Sequence, residues 1–109
     1  MAQNDFIDFL LDQLRLIGPV SPRRMFGGYG LFLDGLMFAL VIEDTLYLKA
    51  DEHSRVDFED RDLPPFTYGR QGKQIALSYF QAPEEALDDS QMLADWANRA
   101  FAAALQARR

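Results

Sequence analysis

At 109 residues the chain has the size of one domain and leaves no room for a second core. A composition 49% hydrophobic and 26% charged is that of a folded globular protein, not a disordered one, and the complete absence of cysteine excludes disulfide staples, thiolate catalysis and zinc–thiolate sites. The formal charge of −6 argues against broad phosphate-backbone binding, and with no run long enough for a membrane span and Asp5 and Asp8 where a secretory leader would be basic, the chain reads as soluble and cytoplasmic.

Asn4 or Asp5 can cap a first helix over about residues 5–17, with Phe6, Phe9, Leu10, Leu14 and Ile17 at three- and four-residue steps and Gly18-Pro19 as its stop. After a loop at Pro22, "RRMFGG" and "YGLFL" read as short strands joined or bulged at Gly27-Gly28, and Asp34-Gly35 is a strong hairpin signal. "LMFALVI" (36–42) and "TLYLK" (45–49) follow as strands around a tight Glu43-Asp44 turn, then a poorly patterned acidic helix or loop at about 52–61. Pro64-Pro65 resets the chain. "FTY" (66–68) and "KQIALSYF" (73–80) form a second predicted hairpin across the four-residue connection Gly69-Arg70-Gln71-Gly72. Asp89 or Ser90 caps a last helix striped with Leu93, Trp96, Ala97, Ala100, Phe101, Ala104 and Leu105, and Arg108 and Arg109 suit its C-terminal end. These elements predict an α+β fold of two layers, with helices packed on one face of an antiparallel sheet. The core should draw on Phe6, Leu10, Leu14, Phe38, Leu40, Leu46, Leu48, Ile75, Leu77, Leu93, Trp96, Ala100 and Phe101.

The sole histidine, His53, sits in "DEHS" and reads as an exposed loop residue rather than a general base. "DFEDRD" (57–62) lacks the glycine and the terminal glutamate of a calcium loop, since those positions fall on Asp62 and Tyr68. Neither "GGYG" nor "GKQ" completes a phosphate loop, so Gly27 and Gly28 are read as a bulge or positive-φ step and Gly30 as a close backbone approach. The strand tyrosines alternate with aliphatic residues, as packing requires, rather than forming a base-stacking platform. Nothing calls for a cofactor or a metal.

The co-linear series "RRMFGGYGLF" (23–32), "FALV" (38–41), "LYLK" (46–49), "PFTY" (65–68), "SY" (78–79) and "PEE" (83–85) resembles the N-terminal domain family of TfoX, the regulator of natural competence, over about residues 6–105. The resemblance implies a two-layer α+β fold like that of secretion chaperones, no known catalytic activity and a loose tie to gene regulation. It supplies no catalytic or ligand residues. Full-length TfoX proteins carry a further C-terminal domain and this chain ends at Arg109, so residues 1–109 read as a single, standalone N-terminal-type domain.

Acidic residues crowd 43–62 and 84–95, whereas 13–33 and 63–83 contain none. Arg23, Arg24, Arg70 and Lys73 fall in the acid-free windows and are the candidate partner- or anion-binding residues, one patch if the Gly69–Gly72 turn lies beside the first strand. Two outcomes are open: the arginines pair with nearby carboxylates and pin the strand, or they dock an acidic partner. The functional expectation is a non-enzymatic, protein-binding regulatory domain, against the alternative of an enzyme or small anionic-ligand protein using those four cations. Direct nucleic-acid binding is disfavoured. "LMFALVI" is apolar on both faces, which suggests a homodimer through the open sheet face unless residues 51–65 fold over it.

Overall fold

The computed structural model describes residues 4–25 and 27–108; Phe26, in the first predicted strand segment, and Arg109, at the end of the last helix, lie outside the described residues. Helix α1 (Asp5–Gln13) begins at Asn4, whose side-chain oxygen accepts the Phe6 amide at 2.7 Å. It is shorter than the periodicity predicts, because the chain tightens into a 3₁₀ turn over Arg15–Ile17 before Gly18 at φ 128°. Its buried stripe is Ile7, Leu10 and Leu14, whereas Phe9 is 39% exposed. Phe6 and Ile17 pack half-buried against the same core, so the stripe differs from the periodicity only in that Ile7 is buried in place of Phe9.

Six strands follow: β1 (Ser21–Met25), β2 (Gly28–Leu33), β3 (Leu36–Ile42), β4 (Thr45–Lys49), β5 (Pro65–Arg70) and β6 (Lys73–Gln81). All pairings are antiparallel and the order is β1-β2-β3-β4-β6-β5. Pro22 belongs to β1 rather than to a loop. Three hairpins turn on two residues with positive φ: Asp34-Gly35 (51° and 79°), Glu43-Asp44 (50° and 59°) and Gln71-Gly72 (52° and 81°), the geometry that matches the twist of paired strands. The second predicted hairpin thus has a two-residue connection. Gly69 and Arg70 are the last residues of β5.

The strand "LMFALVI" does not alternate simply. Leu31 pairs with Ala39 while Phe32 pairs with Met37, so Phe38 is an extra residue on β3. This bulge shifts the phase of the strand. Phe38, Ala39 and Val41 enter the main core, and Met37, Leu40 and Ile42 turn to the other side, whereas strict alternation would group Phe38 with Leu40 and Ile42.

Helix α3 (Ser90–Ala107) is capped by Asp89, whose carboxylate accepts the Met92 amide at 3.0 Å. It lies on β3 and β4, its small Ala97, Ala100 and Ala104 bringing the axis close enough for Leu93 and Trp96 to reach Leu46, Leu48 and Phe38. Leu105, expected on this stripe, is exposed. The acidic segment forms helix α2 (Arg55–Asp60), which buries Phe58 against Phe80 and Trp96 at ring separations of 5.3 and 5.0 Å. Gln13 ties α1 to the 3₁₀ turn at Glu84–Asp88 through a 2.9 Å bond to the Leu87 carbonyl. The described helices thus share one side of an open sheet, a two-layer α+β fold.

A second apolar cluster occupies the opposite side. Leu40, Phe66 and Tyr79 are buried at its centre, with Met25, Met37 and Tyr47 packed around them. Every member is a strand residue. Leu40 and Leu77, expected in the main core, belong here instead, because the bulge and the overhanging β5–β6 hairpin place them away from the helices.

Candidate interaction surface

The helix-free side of the sheet brings together chemistry that the sequence scatters. Its floor is shaped by Gly30, buried in the middle of β2: a Cβ there would stand 2.6 Å from the Met37 sulfur and 2.9 Å from that of Met25. The missing side chain lets two polarisable thioethers fold over the backbone. Beside them Tyr47 meets Phe66 edge-on at 5.3 Å, and Phe66 stacks with Tyr68 at 6.4 Å.

The four sequence-predicted cations do not form one patch. Arg23 and Arg24 lie on β1 at one edge of the sheet, Arg70 and Lys73 face each other across the β5–β6 hairpin at the other edge. Four strands lie between β1 and Arg70 on β5, roughly 24 Å at the usual strand spacing, and three between β1 and Lys73 on β6. The condition set from the sequence, that the Gly69–Gly72 turn approach the first strand, fails because β6 pairs with β4 and leaves β5 as the far edge. Three of the four nevertheless share the helix-free side. Arg23 stacks its guanidinium 4.5 Å over the Phe32 ring, while Arg70 and Lys73 follow in register from Tyr68 and Ile75 on that face. Arg24 pairs with Tyr29, whose ring packs against the main core, and so shares the helix side of β1.

Sequence reading missed Lys49. It follows Tyr47 by two residues on β4 and so lies on the same face; it donates to the Ser78 hydroxyl at 2.6 Å and stands 5.1 Å from the Tyr79 ring. Burial pulls its ammonium below the usual lysine range and pushes the Tyr79 phenol up. A lysine opposite a tyrosine in adjacent strands is the signal that would have found it, but only once β4 is known to pair with β6.

Charge is segregated by layer. None of the 17 carboxylates lies in a strand, whereas five of the 11 cations do: Arg23, Arg24, Lys49, Arg70 and Lys73. Among the described residues the ion pairs join Arg15 to Asp12, Arg55 to Glu59, Arg61 to Glu85 and Arg99 to Asp57. All are on the helix side or its loops. Among the described residues no ion pair joins a strand cation to a carboxylate.

The remaining polar clusters serve the fold. Asp51, His53 and Ser54 line a shallow hollow of about 370 Å³ with Asp57 and Arg99, and contain a serine, a histidine and an aspartate. Yet the Asp51 carboxylate accepts the Ser54 and His53 amides at 2.8 and 3.0 Å, and the Ser54 hydroxyl accepts the Asp51 amide at 3.0 Å. Each of those oxygens is engaged by backbone, the reciprocal pattern of a capped turn, and His53 is exposed. The hydrogen bonds, the Ser54 amide first, hold the Asp51 carboxyl below the usual carboxylate range. A cleft of about 480 Å³ between β4 and the Glu84–Asp88 turn is lined by Asp44, Glu84 and Glu85 against the single cation Arg61. An anionic ligand has little to hold it there. No group of acidic or histidine side chains among the described residues could hold a metal ion, and no described helix is long and apolar enough to cross a membrane.

The TfoX N-terminal domain matches residues 12–104, from the end of α1 through nearly all of α3. The chain belongs to the TfoX N-terminal domain family. It is similar to Protein Sxy of Escherichia coli, 32% identical over 73 residues that cover 67% of this chain and 35% of that protein. Similar matches are found to the DNA transformation protein TfoX of Haemophilus influenzae, 35% identical over 79 residues (72% of this chain, 36% of that one), and to DNA transformation protein TfoX1 of Aliivibrio fischeri, 30% over 71 residues (65% and 34%). The chain spans about a third of the length of these relatives. The TfoX-type domain therefore comprises both layers described above, including the helix-free face.

Proposed function

We infer that this chain is a non-enzymatic, cytoplasmic regulatory domain that works by contacting a protein, in a process of the kind its relatives' names denote, DNA transformation. The observation that carries the reading is the family match across residues 12–104, supported by two relatives named as DNA transformation proteins. The geometry agrees with a contact role. The Asp51–His53–Ser54 cluster is absorbed by turn capping and the cleft beside Arg61 is lined with acids, whereas the helix-free face offers apolar surface and cations with no ion pair among the described residues. Of the residues picked out from the sequence for such a contact, Arg23, Arg70 and Lys73 lie on that face and Arg24 on the opposite side of its strand. A small-anion site built from all four is disfavoured by the three strands, β2, β3 and β4, between the pairs.

The test is affinity capture with the full chain from an extract of its native host, followed by mass spectrometry and by transcript profiling of a deletion strain. The reading expects a regulatory protein in the capture and altered expression of DNA-uptake functions on deletion. An unchanged transcript profile together with no specific protein would refute it.

A further inference from the structure

The helix-free face has a built-in preference for one kind of occupant. Its centre is apolar and only partly covered by its own side chains: Met25, Met37, Tyr47 and Tyr68 are half-buried around fully buried Leu40. Cations stand at both edges, Arg23 on one and Arg70 with Lys73 on the other, with Lys49 between them. No carboxylate lies on any strand. A sheet face that is apolar on the inside, with cations and no carboxylates on its strands, on a chain of net charge −6, is complementary to an apolar segment flanked by acids.

The geometry points to an acidic amphipathic segment of a partner protein as the occupant, its apolar side chains over Met37, Leu40 and Tyr47 and its carboxylates reaching Arg23, Lys49, Arg70 and Lys73. The proposal rests on the protein-contact reading above and names the surface and the partner chemistry. Three features favour this occupant. A second copy laid face to face would oppose the strand cations of both copies with no strand carboxylate between them. A nucleic-acid strand would meet aliphatic and thioether groups at the centre in place of a continuous stacking platform. Strand addition at an edge is hindered because both edge strands carry a proline, Pro22 in β1 and Pro65 in β5. The occupant therefore lies across the face rather than extending the sheet. The pull that burial exerts on the Lys49 ammonium would be relieved by a carboxylate placed over it.

The experiment titrates the full chain, labelled with nitrogen-15, with three probes: a synthetic sixteen-residue amphipathic helix with Leu and Phe on one face and Asp and Glu on the other, the same peptide with Lys in place of its acids, and oligo-dT. The proposal expects saturable amide shifts from the acidic peptide at Met37, Tyr47, Tyr68 and Tyr79 but not along α3. Affinity should fall about tenfold in the Arg23→Glu/Lys73→Glu variant and severalfold from 50 to 300 mM salt, with Arg24→Glu unchanged. Both altered side chains are exposed, and an unchanged melting temperature shows that the fold is intact. Equal binding of the lysine peptide, oligo-dT shifting the same amides in place of the peptide, a peptide-free dimer that buries the face, or no shift with any probe would each overturn it. A partner captured from extract through α2 or α3 would overturn this inference while leaving the protein-contact reading in place.

Discussion

The Phe58 ring packs 5.0 Å from Trp96 and is stacked on Phe80 at 5.3 Å. This contact commits the acidic segment to the helix side of the sheet. Arg61 and Arg99 then lie 5.4 and 4.9 Å from the Trp96 ring, and Arg99 pairs with Asp57. The segment that could have shielded the opposite face is thus held away from it by an aromatic cluster and its attendant cations.

Phe58→Ala is expected to destabilise the domain by about 3–5 kcal/mol, the range for deleting a buried phenylalanine, and to raise hydrogen exchange first across residues 51–65. Chemical denaturation and exchange mass spectrometry check this. A loss below about 1 kcal/mol would mean that the segment is held by other contacts.

Lys49→Met is expected to raise the melting temperature at neutral pH while weakening partner capture. Burial lowers the Lys49 pKa in the fold, so the unfolded chain holds that proton more tightly and the buried charge opposes folding at pH values below the folded value. Stability should rise with pH between the folded value and the unfolded one near 10.4, and the advantage of methionine should shrink over the same window. Melting curves from pH 7 to 10.5 on both proteins test the sign.

Gly28 and Gly30 differ in what a side chain would meet. At Gly28 a Cβ falls 2.1 Å from the Val41 carbonyl oxygen, which is backbone; at Gly30 it meets the ends of flexible methionines. Gly28→Ala should therefore cost about 1–3 kcal/mol through a disturbed β2–β3 ladder, and Gly30→Ala less, with altered shifts confined to Met25, Met37 and Phe32. Equal effects would contradict the asymmetry.

Asp51→Ala should cost about 1 kcal/mol at neutral pH, the usual value of a capping side chain. Because the folded carboxyl is held below its unfolded value near 3.9, that stability is complete above about pH 4 and is lost as pH falls through the folded value. Wild type and variant should converge below it. A constant difference down to pH 2 would assign the loss to packing.

Local signals were legible in the sequence: the Asn4 and Asp89 caps, the Asp34-Gly35 turn, and the Leu93, Trp96, Ala97, Ala100 stripe each depend on residues a few positions apart. What escaped depends on pairing between distant segments. The Phe38 bulge is defined only by its register with β2, and the pairing of β4 with β6, which sends Arg70 to the edge remote from Arg23 and sets Lys49 beside Tyr79, joins residues some thirty positions apart. The poorly patterned 52–61 segment proved helical because Phe58 alone anchors it, an anchor without a periodic neighbour. For the candidate surface, residue types were legible; their arrangement as two separate edges of one face was not.

The most direct test of the central claim, that the domain binds through its helix-free sheet face, is photo-crosslinking in the native host with benzoylphenylalanine placed singly at Tyr47, Tyr68 or, on the exposed side of α3, Asp95. The account predicts one common protein adduct from Tyr47 and Tyr68 and none from Asp95. An adduct from Asp95 with silence at both tyrosines would contradict it.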